Sequence, residues 1–188
     1  MSNRVIRIGM ATFAVGLWSL TGTTGMAKSP QHGNPIAGKY LVSVIPCTDC
    51  HTPGTFYGAP KMDKFLSGSD LGWVGPWGVA HAANLTPDKE TGIGNWTETQ
   101  IVTAIRTGVR PDGRQLAAIM PWEVLAHLSD KDAYDIAAYL KSLPAVRHVV
   151  PKLQGPKEKP VGAFITFPPP PAWDAPAGPP PGAPARKK

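Results

Sequence analysis

Residues 46–53 read Pro46-Cys47-Thr48-Asp49-Cys50-His51-Thr52-Pro53, and they contain both cysteines of a 188-residue chain, with a histidine directly after the second. Cysteines this close serve disulfide or thiol redox exchange, zinc binding, or covalent haem attachment. A structural disulfide across so short a loop removes little entropy from the unfolded chain. A thioredoxin-like pair is expected beside a βαβ pattern, and no convincing β-rich stretch flanks Cys47. A structural zinc site usually draws its ligands as two pairs, and Cys47, Cys50 and His51 have no second pair. Cys-x-x-Cys-His is the attachment sequence of a c-type haem. Cys47 and Cys50 would become thioethers, and His51 would be set beside the iron as an axial ligand. Thiol redox and zinc stay open as the lesser alternatives.

The two ends of the chain have other compositions. Residues 1–27 carry Arg4 and Arg7, an apolar run over 8–20 and the small-x-small ending Gly25-Met26-Ala27, the three parts of a secretory signal peptide. The apolar run includes Thr12 and Ser19 and falls short of the roughly 18 residues that a membrane-spanning helix needs. Cleavage near Ala27 is therefore expected rather than an anchor. Export agrees with haem attachment, which bacteria carry out beyond the cytoplasm. Residues 151–188 hold twelve prolines, four in succession at 168–171, among Gly and Ala. Proline fixes φ and lacks the amide donor, so neither a helix nor a strand ladder is expected there. That region reads as an extended or disordered tail. One domain remains, residues 28–150.

The net charge of +6 does not sit on that domain, because residues 28–150 hold eleven Lys or Arg and eleven Asp or Glu. A nucleic-acid binder concentrates positive charge on its folded part, so no nucleic-acid partner is expected. The tail, with six basic and two acidic residues, could touch an acidic partner or anionic lipid, but simple solubility is the preferred reading of its charge.

Within the domain, Asn34-Pro35 has the form of an N-cap followed by proline at the first helical position. Ile36, Tyr40 and Val44 then share one face, with Ala37, Leu41 and Ile45 beside them, the period of an amphipathic helix. Pro46 stops it just before Cys47. Residues 52–95 are rich in Gly and Pro with no sustained period, and so long a loop needs something to organise it, a role a haem could fill. Thr97 and Gln100 form a capping box ahead of Ile101, Ala104 and Ile105, and Gly108 closes the segment, which predicts a helix over about 98–107. Pro121 opens a short helical turn to Leu125. Ser129 caps the last helix, whose buried stripe is Ala133, Ile136, Ala137, Leu140 and Leu143 and which Pro144 ends. The expected fold class is all-α and loop-rich.

At this level the chain resembles the class I c-type cytochromes. Within them it is most similar to the cytochrome domains that serve periplasmic alcohol, aldehyde and sugar-acid dehydrogenases. The stretches that carry the resemblance are GKYLVSVIPCTDCHTP, ANLTPDKETGIGNWTETQ, AIRTGVRPDG, MPW and LSDKDAYDIAAYLKSLP, over about residues 35–145. It implies a small cytochrome c fold in which N- and C-terminal helices cross and loops wrap one covalent haem c with its iron. In such domains a carbonyl just before the Asn-Leu-Thr stretch accepts the proximal histidine's Nδ1–H. Relatives often have proline there, where this chain has Ala83.

His51 leaves one axial position, for which Met62, Met120, His32, His81, His127 and His148 are the candidates. Met62 lies eleven residues past His51, a short span for a chain passing round a haem edge. Met120 lies sixty-nine residues on and matches the family's ligand position. His81, in the wrapping loop, comes next. Met/His ligation raises the reduction potential. Trp73, Trp77, Trp96 and Trp122 read as packing residues, with Trp96 and Arg106 as candidate hydrogen-bond donors to a haem propionate. Asp88 and Glu90 fail the calcium-loop pattern, because Gly92 stands at the next ligand place, and read as loop surface.

The resemblance implies a periplasmic one-electron carrier rather than an enzyme, with a dehydrogenase on one side and an oxidase or another cytochrome on the other. Two alternatives accompany it. One is a haem enzyme or gas sensor with an open sixth site, for which His127 and Arg114 are the nearest distal polar groups in sequence. The other is a fixed haem subunit of a dehydrogenase complex, docked through the tail.

Overall fold

The structure, a computed structural model, describes residues 32–167; the expected export signal and the tail beyond Phe167 lie outside them. Helix α1, Pro35–Val44, begins where the Asn34 side chain accepts from the Ile36 and Ala37 amides, at 2.9 and 3.5 Å. After the turn at Ile45-Pro46 comes α2, Cys47–His51, a single helical turn. Helix α3, Glu98–Thr107, has both bonds of the expected capping box, and Gly108 ends it at φ 70°, a left-handed conformation suited to glycine. Helix α4, Trp122–Leu125, follows Pro121. Helix α5, Asp130–Ser142, starts where Ser129 Oγ accepts from the Asp132 amide at 3.1 Å. No helix among the described residues is long and apolar enough to cross a membrane.

Helices α1 and α5 cross at very short range, and Gly38 makes this possible. A Cβ at position 38 would stand 1.9 Å from the Asp135 carbonyl oxygen. Val42, one turn on, then enters a core shared with Ile101 and Val102 of α3 and with Ala133, Ile136, Ala137 and Leu140 of α5. This corrects the expected facing of α1. Ile36, Tyr40 and Val44 are 81%, 66% and 58% exposed, whereas Gly38 and Val42 are buried and Leu41 and Ile45 pack at the edge. Both sets have i, i+4 spacing, so period alone could not choose between them. The choice follows from where a neighbouring backbone can approach.

The all-α expectation is also corrected, since a small sheet is present. Strands β1, Gly72–Gly75, and β2, Gly78–His81, form an antiparallel hairpin about Pro76-Trp77. Proline at the first central position of a turn presets the φ that the turn needs. Glycine at both ends of β1 and at the start of β2 hid the period of two. Strand β3, Phe164–Thr166, pairs parallel with β1, and Gln154 bridges the free edge of β2 at Val79. Residues 151–167, grouped by composition with the tail, thus run along both edges of the hairpin. Phe164-Ile165-Thr166-Phe167 is free of Pro and Gly and rich in strand-favouring residues, a local exception inside a proline-rich average. Phe167 stacks on Trp73 with ring centroids 6.0 Å apart, and Phe56 meets Trp73 edge-on at 5.0 Å.

Asp135 is 2% exposed at the α1–α5 crossing, where it accepts from the Asn34 amide at 2.7 Å and from Lys131 Nζ at 2.5 Å. Burial pushes its carboxyl up, but the Asn34 and Lys131 donors outweigh burial and hold it below the usual carboxylate value. A depressed native pKa gives stability that is complete above the unfolded pKa, about 4, and is lost as pH falls through the native value. Asp135→Asn should therefore flatten the loss of stability on acidification below about pH 4, measured by urea titration at several pH values; parallel curves for variant and wild type would contradict this. Gly38→Ala should lower the unfolding free energy by about 2 kcal/mol or more, since the added methyl meets backbone that cannot move aside. An unchanged denaturation midpoint would refute the crossing geometry.

Candidate functional site

The turn at Ile45-Pro46 passes the chain from α1 into α2, and the spacing of Cys47 and Cys50 puts the two side chains one helical turn apart on neighbouring parts of the same face. Both are free, half-buried thiols. Burial pushes the Cys47 thiol up to about 11, with its own backbone hydrogen bond opposing and Cys50 and Asp49 adding to the rise. Burial, then Asp49, raises Cys50 as well. Exchange-active Cys-x-x-Cys pairs have lowered thiol pKa values, so this pair has the opposite electrostatics. Among the described residues no group of three or more His, Cys, Asp or Glu side chains is placed to hold a metal ion.

His51 is 7% exposed, and its Nδ1 lies 2.7 Å from the Ala83 carbonyl oxygen. A carbonyl can only accept, so Nδ1 carries the proton and Nε2 presents its lone pair. Burial lowers the imidazole's pKa against the opposing effect of the Ala83 bond, which keeps the ring neutral. A neutral imidazole with Nδ1–H held from behind is the form in which histidine ligates a metal. The buried ring, its orienting acceptor and the two thiols one turn away fit covalent haem with His51 as one axial ligand.

Two stretches, 66–68 and 83–85, form a wall against His51 and Thr52. The Gly68 amide donates to the His51 carbonyl at 2.8 Å, the Leu66 amide to Thr52 Oγ1 at 3.1 Å and the Leu85 amide to the Leu66 carbonyl at 2.9 Å. His148 joins this wall, with Nδ1 3.0 Å from the Ser67 carbonyl. His81 ends β2, and both of its ring nitrogens are buried without a hydrogen-bond partner among the described residues.

Met62 is 63% exposed on a 3-10 turn, Met62–Lys64. His32 and His127 are exposed. Met120 is half-buried at the end of the segment leaving α3; its amide donates to Ala117 and its carbonyl accepts from the Trp122 amide at the start of α4. Arg106 donates to Asp130 at 2.7 Å and to the Leu128 carbonyl, clamping α3 to the start of α5, while its Nε is buried with no partner among the described residues. Trp96 lies beneath the Arg110 guanidinium, 5.1 Å from ring centroid to Cζ. Asp88 shapes its loop by accepting from the Thr91 amide and hydroxyl, both at 2.7 Å, and Glu90 pairs with Arg147.

Sequence reasoning missed the residue behind the Ala83 carbonyl. Asn84 is 2% exposed, and its amide bonds Thr86, Thr91 and Val146. A buried asparagine beside the predicted acceptor was visible in the sequence, but its partners, up to 62 positions away, were not.

No family model matches the chain. It is similar to the fructose dehydrogenase cytochrome subunit of Gluconobacter japonicus, 37% identical over 103 residues, which are 55% of this chain and 20% of that one. It is also similar to the cytochrome c subunit of a quinone alcohol dehydrogenase from Gluconobacter oxydans, 31% identical over 126 residues, 67% of this chain and 25% of the relative. A diheme c-type cytochrome of Cereibacter sphaeroides matches at 27% over 136 residues, 70% of this chain and 44% of the relative. The chain spans only a fifth to a quarter of the two dehydrogenase subunits, and over that span it resembles the c-type cytochrome domains that such subunits contain.

Proposed function

We propose that this protein is an exported, periplasmic one-electron carrier with one covalent haem c, attached at Cys47 and Cys50 and ligated through iron by His51 and Met120. The observation that carries the reading is the 2.7 Å contact from His51 Nδ1 to the Ala83 carbonyl, beside two half-buried thiols one helical turn apart. Once bound, the haem would supply a ferric–ferrous couple. The residues of this chain hold the ring, exclude water behind it and leave Nε2 free to ligate. One Cys-x-x-Cys-His in the sequence supports one haem.

Met120 as the second ligand is supported by its match to the family's ligand position and by its half-buried place on the path from α3 into α4, whereas Met62 is 63% exposed and His32 and His127 are exposed. His127 and Arg114, the distal polar groups that an enzyme or gas sensor would need, are exposed, which favours the carrier.

The electron donor in this reading is a periplasmic dehydrogenase and the acceptor an oxidase or another cytochrome, reached through small, transient contacts. A second reading, a fixed haem subunit of a dehydrogenase complex, is favoured by the relatives' names. Copurification with a dehydrogenase separates the two.

Absorption spectra of the exported protein in both oxidation states test the ligand set. The oxidised form should show a weak band near ~700 nm from methionine bound to iron, and Met120→Ala should remove it and lower the potential. A high-spin wild type that binds carbon monoxide readily would overturn the carrier reading, and an unaltered Met120→Ala spectrum would remove Met120 from the site.

A further inference from the structure

We infer that Asn84 is a positioning residue for the proximal imidazole: its buried side-chain amide, tied to the strap beyond α5, holds the Ala83 carbonyl against His51 Nδ1. The inference rests on the haem reading above. Ala83 C=O and Asn84 N–Cα belong to one planar peptide unit, so whatever fixes Asn84 also fixes the carbonyl.

Asn84 is fixed on both sides. Its Oδ1 accepts from the Thr86 amide at 2.9 Å and the Thr86 hydroxyl at 2.8 Å; its Nδ2 donates to Thr91 Oγ1 at 3.0 Å and to the Val146 carbonyl at 2.8 Å. The orientation of the amide is settled by its partners, because the Thr86 N–H can only donate and the Val146 carbonyl can only accept. All four hydrogen-bonding sites of the side chain are used in a place 2% exposed. The same strap is held twice more, by Val146 N donating to Thr86 Oγ1 and by His148 N donating to Thr91 Oγ1, each at 3.1 Å. The Ala83 carbonyl is thus referred to the exit of α5 rather than to its own glycine-rich loop.

Ala83 gives no such stiffness itself. Its φ is not locked by a ring, and its amide makes no hydrogen bond among the described residues. A proline there would cost no donor bond and would stiffen the same carbonyl by other means. Asn84 does through side-chain bonding what a ring at position 83 would do covalently. The Nδ1–H···O bond makes the imidazole a stronger donor to the metal, so Asn84 reaches the iron's potential through Ala83 and His51 without touching either the iron or the haem.

The test uses the exported, haem-loaded full chain, with the wild type's covalent haem spectrum recorded first; its absence would fail the haem reading, separately from this one. Asn84→Ala should raise the midpoint potential and speed exchange of the His51 Nδ1 proton, followed by NMR, about tenfold, the factor equivalent to a bond worth about 1.4 kcal/mol. Asn84→Ser, which keeps a hydroxyl acceptor, is the milder variant and carries the test where Asn84→Ala accumulates no holoprotein. Ala137→Gly, in α5 and outside the Asn84 hydrogen-bond set, gives the response to general destabilisation. Adding Ala83→Pro to the Asn84 variant should bring potential and exchange back toward wild type. Wild-type potential and exchange in the folded Asn84 variants, changes no larger than those of Ala137→Gly, or a shift that Ala83→Pro leaves in place would each overturn the assignment.

Discussion

The hydrogen bond from His51 Nδ1 to the Ala83 carbonyl is the contact on which the site depends. It selects the neutral tautomer, aims Nε2 away from the protein wall and joins a five-residue helix to a stretch 32 positions downstream. The segment between them would otherwise be a long, glycine-rich loop with little reason to fold back. Its amides instead converge on His51 and Thr52, and its hairpin is gripped along both edges by residues 151–167.

The helices were legible because their information is local. Asn34, Thr97 and Ser129 cap α1, α3 and α5 as expected, and Gly108 and Pro144 mark ends that the sequence shows within a residue or two. Two features needed the fold. The buried face of α1 depends on Gly38 admitting the α5 backbone, which concerns a partner about a hundred residues away. The hairpin over 72–81 has glycine where strand-favouring residues would otherwise signal it, and β3 comes from a tetrapeptide hidden in a proline-rich average.

The site divides in the same way. Cys47, Cys50 and His51 are adjacent in sequence, so their chemistry could be proposed from spacing alone. Arg106, considered for a propionate, bonds Asp130 and the Leu128 carbonyl through its two terminal nitrogens, while its Nε is buried without a partner among the described residues. His81, the second candidate for the sixth position, ends β2 with both ring nitrogens buried and without a hydrogen-bond partner among the described residues. The relatives, cytochrome subunits of dehydrogenases in which the matched region is a fifth to a quarter of the chain, agree with a domain whose task is to hold a redox group.

The most direct measurement is the mass of the intact protein recovered from the periplasm under denaturing conditions. Attachment through Cys47 and Cys50 predicts the polypeptide plus one haem, retained after acid–acetone extraction and lost from the variant with both cysteines changed to alanine. The bare polypeptide mass, from material that still carries electrons, would contradict the account.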